Sequence, residues 1–456
     1  MSHQPFNLIS RRAFMRSSLG CGCLFLASAY TQPARALTLQ PSRHALYLPD
    51  KPMIAVDPSN PRWLRWTNGK PFFMSGPGDP ESFLFRGERQ SNGTYEGDQI
   101  ALMNKVAEAG ANCLWWVGMR SHGGDGGPLE NMFVDGNPDK GINHAVLDQW
   151  EGWLAHAEKL GLVVSFYFYD DQVEVELGEN SLSWQLDVSG NLHPQEAQMI
   201  NEVVKRFSKY GNIIWGAMEV ADKRGARFIP HLKAFSKHIR DVDPYSHPIA
   251  MSVGFAGDSF ADYANDPNID IYSIMKLERL SADEINQRGL GYYAAAEGRY
   301  VCNFAETHGY GKGETARIKN WATAMSGCYL QVHGHHVHNN TLQDLKDCAL
   351  VSKFFEQCDF YSMQPNNRLA RDKTKYVMAE IGKQYILYAR ESDKESTLAC
   401  LEIPDGDYQA LWVDCISGEF YRESMALKKA KRGMTRITKP KHFGAEVAVY
   451  LLRESI

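Results

Sequence analysis

Glu306 ends the run YVCNFAE (300–306), an apolar stretch that delivers one acid and then opens into the loop THGYG. Glu219 has the same setting at the end of NIIWGAME. Two carboxyl groups ending buried strands suit chemistry on an acetal: one protonates the leaving oxygen while the other attacks the anomeric carbon or activates a water. Each glutamate also has a plainer reading, as a helix cap or as a salt-bridge partner of Arg120 or Lys276. Glu306 is the better catalytic candidate of the two.

Other polar residues close apolar runs in the same way. The first such run is followed by Asp79 and Glu81, the second by Arg120, His122 and Asp125, the third by Asp170 and Asp171. Later runs lead to Asp222, Glu278 and His308, and the last enters the cluster VHGHHVH, which holds His333 and His335. Trp115, Trp116, Tyr167, Tyr169, Trp215 and Tyr310 lie near the same ends and would suit stacking on sugar faces, although large aromatics in such strands more often fill the core. The histidines are the rival signal. A strand would point His333 and His335 one way and His336 and His338 the other, and neither HExxH nor an HxH after the first strand is present, so hydrogen bonding to substrate or to Glu306 is expected rather than a metal, and no cofactor is expected.

These residues need a scaffold that brings strand ends together. From about Lys70 to Val337, short apolar runs alternate with longer helical patterns, the rhythm of repeated βα units. Strands are expected at PFFMSG (71–76), NCLWWVG (112–118), LVVSFYFYDD, NIIWGAMEVAD, HPIAMSVG (247–254), IDIYSIMKLE (269–278), YVCNFAE and GCYLQVHG (327–334). Eight strands at this spacing predict a (β/α)8 TIM barrel, whose strand ends converge on one mouth. A doubly wound sheet is the alternative, but no glycine-rich phosphate turn follows the first strand. The last hundred residues read as short alternating strands divided by DG and SG turns, a small C-terminal β-sandwich. The expected division is 1–36 leader, 50–345 barrel and 360–456 β-sandwich.

The leader carries Arg11, Arg12 and Phe14 before a short apolar run and an ARA site ending at Ala36, the pattern of a twin-arginine signal. It predicts delivery by the Tat export machinery to the periplasm or the medium. The apolar run is shorter than the roughly 20 residues of a membrane span, and none later is longer. Removing 1–36 takes away four arginines and no acids, so the formal charge moves from -5 to -9. That balance disfavours a nucleic-acid partner. Seven cysteines remain, without CxxC spacing; Cys348 with Cys358, or Cys400 with Cys415, are the candidate disulfide pairs. Nothing in the sequence fixes the oligomeric state.

Two further stretches carry a family resemblance. NPRWLRWTNGKPFFMSG followed by GDPESFLF resembles the opening of the apiosidase-like, DUF4038-type glycoside hydrolases, and IPDGDYQALWVDCISGEF resembles their C-terminal collagen-binding-type β-domain at Gly406, Tyr408, Trp412, Asp414 and Gly418. The resemblance implies a retaining (β/α)8 glycosidase, with its acid/base after strand four at Glu219 and its nucleophile after strand seven at Glu306. It also implies a carbohydrate substrate, which Asp79, Arg120, His308 and His333 at the strand ends are expected to hold. Two departures stand out: Met218 occupies the position before the acid/base where the group carries Asn, and Pro80, Glu81 and Ser82 replace an aromatic after the first Gly-Asp. An exported O-glycosyl hydrolase is the leading expectation. A carbohydrate-binding protein without turnover is the second, and a histidine-centred metal-dependent hydrolase the third.

Overall fold

Strands buried on both faces need no polar alternation, and the run VVSFYFY at 163–169 is buried at every position. That property organises the chain. The computed structural model describes residues 51–78, 83–120, 130–170, 189–219, 228–253, 263, 265–275, 279–305, 310–331, 340–391, 397–430 and 433–454.

An antiparallel pair, β1 (Ile54–Val56) and β2 (Leu64–Trp66), precedes the barrel. Asp57 shapes the connection between them by accepting from Ser59 N at 2.8 Å, a second turn after β2 uses Asn68 and Gly69, the glycine at φ 85°, and the Tyr329 and Tyr361 hydroxyls tie the β2 backbone beneath the barrel. The first barrel strand is β3 (Ser75–Gly76), followed by a short hairpin of β4 (Glu88–Arg89) and β5 (Tyr95–Glu96). The other barrel strands are β6 (Cys113–Val117), β7 (Val163–Tyr169), β8 (Ile213–Met218), β9 (Ile249–Val253), β10 (Ile271–Ile274), β11 (Val301–Ala305) and β12 (Tyr329–Gln331).

These eight form one sheet in the order β3-β12-β11-β10-β9-β8-β7-β6, parallel at each paired step. Asn112 closes the ring: its N–H donates to Ser75 O at 3.2 Å, and its side-chain oxygen accepts from Ser75 N at 2.8 Å. The predicted barrel is thus present, with all eight strands where the apolar runs place them.

The helices are α1 (Gln99–Ala109), α2 (His144–Leu160), α3 (Pro194–Phe207), α4 (Ile229–Val242), α5 (Ala282–Ala295), α6 (Gly313–Ala324) and α7 (Leu342–Phe355). Local chemistry sets their ends. Ser281 with Glu284 and Thr341 with Asp344 form capping boxes at α5 and α7, and α1 and α2 stop at Gly110 and Gly161 in the left-handed region.

The tail forms β13 (Gln364–Pro365), β14 (Ala370–Asp372), β15 (Thr374–Glu380), β16 (Gln384–Ala389), β17 (Thr397–Leu401), β18 (Gly406–Asp414), β19 (Phe420–Leu427), β20 (Met434–Thr438) and β21 (Val447–Arg453). They make a six-stranded sheet, β13-β15-β16-β21-β18-β19, and a three-stranded one, β14-β17-β20. One core lies between these sheets, with Trp412, Leu387 and Val449 at its centre. The other face of the larger sheet joins the barrel core through Tyr376, Tyr388 and Tyr450. Trp321 of α6 stacks on Tyr388 with centroids 5.5 Å apart, and Arg317 pairs with the buried Glu446 at 3.0 Å.

The tail residues that carry the family resemblance build this domain. Trp412 is fully buried and donates to Glu423 at 2.8 Å, while Asp414 accepts from Ile416 N and Ser417 N, both at 2.9 Å, to make the turn that Gly418 completes at φ 78°. All seven cysteines described are buried free thiols, so the disulfides Cys348–Cys358 and Cys400–Cys415 are not formed. Among the described residues no helix is long and apolar enough to cross a membrane.

Candidate active site

The barrel interior is built from small residues around two large rings. Tyr167 of β7 crosses it, stacks on Trp115 at 4.1 Å and donates to Ser273 Oγ of β10 at 2.9 Å. Gly216 of β8 allows this, because a Cβ there would sit 2.5 Å from the Tyr167 ring. Ser165, Asn303 and Gln331 continue the polar layer: Asn303 Nδ2 and Ser165 Oγ both donate to Gln331 Oε1 at 3.2 Å. Gln331 Nε2 donates to Leu114 O at 2.8 Å, which fixes that amide's orientation.

Above this layer, at the C-terminal end of β8, lies Glu219. It is 2% exposed, and its backbone N–H donates to Tyr169 O at 2.9 Å, so its position is tied to the end of β7. Tyr167 lies near enough to sense it. The phenol is pushed well above its usual range by burial first, against the hydrogen bond to Ser273, and further by the charge of Glu219. Met218, on β8 just before Glu219, is fully buried.

Arg120 is also at this end, just beyond β6, and is 3% exposed. Its backbone bridges to Glu130 and its guanidinium lies over the Phe85 ring at 5.4 Å. Asp170, at the tip of β7, is fully buried and its N–H donates to Met119 O.

Two predicted contact residues are core instead. Trp215 points outward from β8 to the helix layer, where it packs on Phe166 and Phe168 and donates its indole N–H to Asp243 at 3.2 Å. The reason is parity: inward Gly216 puts its neighbour on the opposite face of the strand. Tyr310 is 1% exposed, lies under the Lys319 ammonium and reaches Thr323 of α6 at 3.4 Å, so it packs behind the sheet. Trp115, Trp116, Tyr167 and Tyr169 are likewise buried. Glu306, Asp79, His122, Asp171, Asp222, Glu278, His308, His333 and His335 lie outside the described residues. Among the described residues no cluster of His, Cys, Asp or Glu could hold a metal.

One group at the mouth was not anticipated from the sequence. Glu196, buried in the first turn of α3, accepts from the Tyr169 hydroxyl at 2.6 Å, contacts His231 Nε2 of α4 at 3.0 Å and accepts from His193 N at 3.2 Å. The only local signal is the capping pattern His193-x-x-Glu196; His231 lies 35 positions further on.

No family model and no curated protein sequence matches the chain. Its fold does have relatives. A candidate glycoside hydrolase from Bacteroides vulgatus ATCC 8482 superposes with a TM-score of 0.65 at 12% identity, over 89% of this chain and 83% of that one. A second structure, described as a glycoside hydrolase, gives 0.61 at 13% identity, over 88% of this chain and 97% of its own. At such identities the shared property is the fold.

Proposed function

We propose that the chain is an exported glycoside hydrolase of the apiosidase-like type, cleaving O-glycosidic bonds of a poly- or oligosaccharide with retention of configuration. The observation that carries this reading is the placement of Glu219, buried at the C-terminal end of β8 and tied through its backbone to β7. The strand β11 ends at Ala305, one position before Glu306 in the chain. Both fold relatives are described as glycoside hydrolases, which supports the same chemistry. The opening and tail motifs favour the apiosidase-like group, and the leader favours twin-arginine export.

In this reaction Glu306 attacks the anomeric carbon while Glu219 protonates the departing oxygen. Glu219 then takes a proton from the water that releases the glycosyl group. The geometry this requires is a carboxyl separation of about 5 Å. Arg120, Asp79, His308 and His333 hold substrate or nucleophile.

Screening against cell-wall and envelope polysaccharides, with product configuration followed by NMR, tests the reading. Glu306→Gln is expected to abolish turnover. Glu219→Gln is expected to lower it by about 10²–10⁴ on unactivated glycosides and much less on aryl glycosides with good leaving groups. An active Glu306→Gln enzyme, or inverted product, overturns the mechanism. Met218 favours a second reading, a binding protein without turnover, because a buried thioether stands where the group has a hydrogen-bonding amide. A wild type that binds glycans but is silent across the panel would select it.

A further inference from the structure

The opposite end of the barrel carries a cavity of about 630 Å³, within the range of small-ligand sites. It lies where the strands begin: Phe72 precedes β3, Asn112 precedes β6 and Gly161 precedes β7. It is therefore separate from the mouth that holds Glu219. Half-buried Trp66, at the end of β2, forms an aromatic wall and meets Phe72 edge to face at 5.8 Å.

The charges around it decide what it can take. Lys51 is committed to Glu158 at 2.7 Å, and Glu158 also accepts from Gly211 N. Lys70, Lys159 and Lys353 are exposed, and their ammonium groups make no ion pair among the described residues. Glu356 accepts from Phe73 N at 3.1 Å, and burial pushes its carboxyl up against the pull of Lys70. The cavity also receives the last turns of α1, α2 and α7, each worth roughly half a negative charge. Four lysines against two glutamates and three helix ends come close to balance. That balance removes the drive for a strongly charged ligand and leaves ammonium and amide donors, carbonyl acceptors and an indole face.

We propose that this cavity is a second carbohydrate site, binding a neutral oligosaccharide by stacking on Trp66, with hydroxyls shared between the lysines, Asn68 and the helix-end carbonyls. The ligand class rests on the hydrolase reading; the site itself does not. Calorimetric titration of the Glu306→Gln chain with cellohexaose, mannohexaose and xylohexaose tests it, since a hexasaccharide is too short to span both barrel ends. At least one is expected to bind at two sites, with Trp66→Ala reducing the stoichiometry to one. In the otherwise wild-type chain, Trp66→Ala should leave turnover of a small aryl glycoside unchanged. Asn68→Ala, at an exposed turn, should weaken the second site at least threefold. A single site in the parent, an unaltered stoichiometry in Trp66→Ala, or binding of oligogalacturonate but no neutral hexasaccharide would each overturn the proposal. Loss of turnover with both sites intact would instead count against the hydrolase reading alone.

Discussion

Two buried histidine–carboxylate pairs flank the same βα unit, at opposite ends. At the mouth, Glu196 and His231 join the starts of α3 and α4 to the Tyr169 hydroxyl. At the base, Asp243 ends α4 and receives the indole N–H of Trp215, the backbone N–H of His247 and that of Tyr245, with His247 Nδ1 at 2.9 Å. All four of these histidine and carboxylate side chains are fully buried. The difference lies in what each pair is coupled to. Asp243 is surrounded by its own loop and by the strand start, so it stabilises a connection. Glu196 holds Tyr169, whose carbonyl receives the N–H of Glu219. On the proposed mechanism, one device serves cohesion at the base and alignment of Glu219 at the mouth.

The comparison is most easily broken by truncation. Asp243→Ala removes the carboxylate that accepts from the Trp215 indole and from the His247 backbone, and Glu196→Ala removes the carboxylate shared by His231 and the Tyr169 hydroxyl. Each is expected to cost about 3–5 kcal/mol in urea unfolding. If the two pairs were equivalent, their milder amide variants would also match in activity. On the proposed mechanism, with Glu219 as acid/base, Glu196→Gln should instead lower kcat about 10- to 100-fold, because a small displacement of a reacting group is enough for that. Asp243→Asn should leave kcat per folded molecule unchanged. Equal kcat values for the two variants would remove the alignment role of Glu196.

Acid stability sharpens the same contrast. Burial alone would raise the Asp243 carboxyl, but the hydrogen bond and charge of His247, with the backbone donors, bring it below its usual value. A depressed carboxylate contributes stability that is present above its unfolded value of about 3.9 and is lost as pH falls through the lower folded value. Unfolding free energy should therefore fall steeply below about pH 4, and Asp243→Asn should flatten that slope. Asp57 and Asp414 are depressed too and would keep part of it.

The barrel was legible because its strands are buried on both faces and read as unbroken apolar runs. The first strand shows the limit of that signal. PFFMSG reads as six strand residues, yet only Ser75 and Gly76 pair in the sheet, because side chains take the backbone groups before them: Phe72 N donates to Tyr361, Phe72 O accepts from Tyr329, Phe73 N donates to Glu356 and Phe73 O accepts from Asn112. The end of β8 was readable as the site of an acid, since Glu219 is the first acid after six buried residues. Which aromatic faces the mouth was not, because that depends on a one-residue parity that Gly216 settles through the Tyr167 ring. The Glu196–His231 pair left almost no trace, since its members sit on different helices and only the barrel brings them together.

The smallest expected effect belongs to the polar layer beneath the mouth. Tyr167→Phe removes one buried hydroxyl while keeping the ring that stacks on Trp115 and covers Gly216. Ser273 loses its donor at 2.9 Å and keeps only the long contact from Asn303 at 3.5 Å. A net cost of about 1 kcal/mol follows for a single neutral hydrogen bond. Because the ring supports the floor below Glu219 and the hydroxyl points away to β10, kcat should change less than threefold. A loss as large as that of Glu196→Gln would move the aligning function from the helix starts into the barrel interior, and the contrast between mouth and base would have to be redrawn around Tyr167.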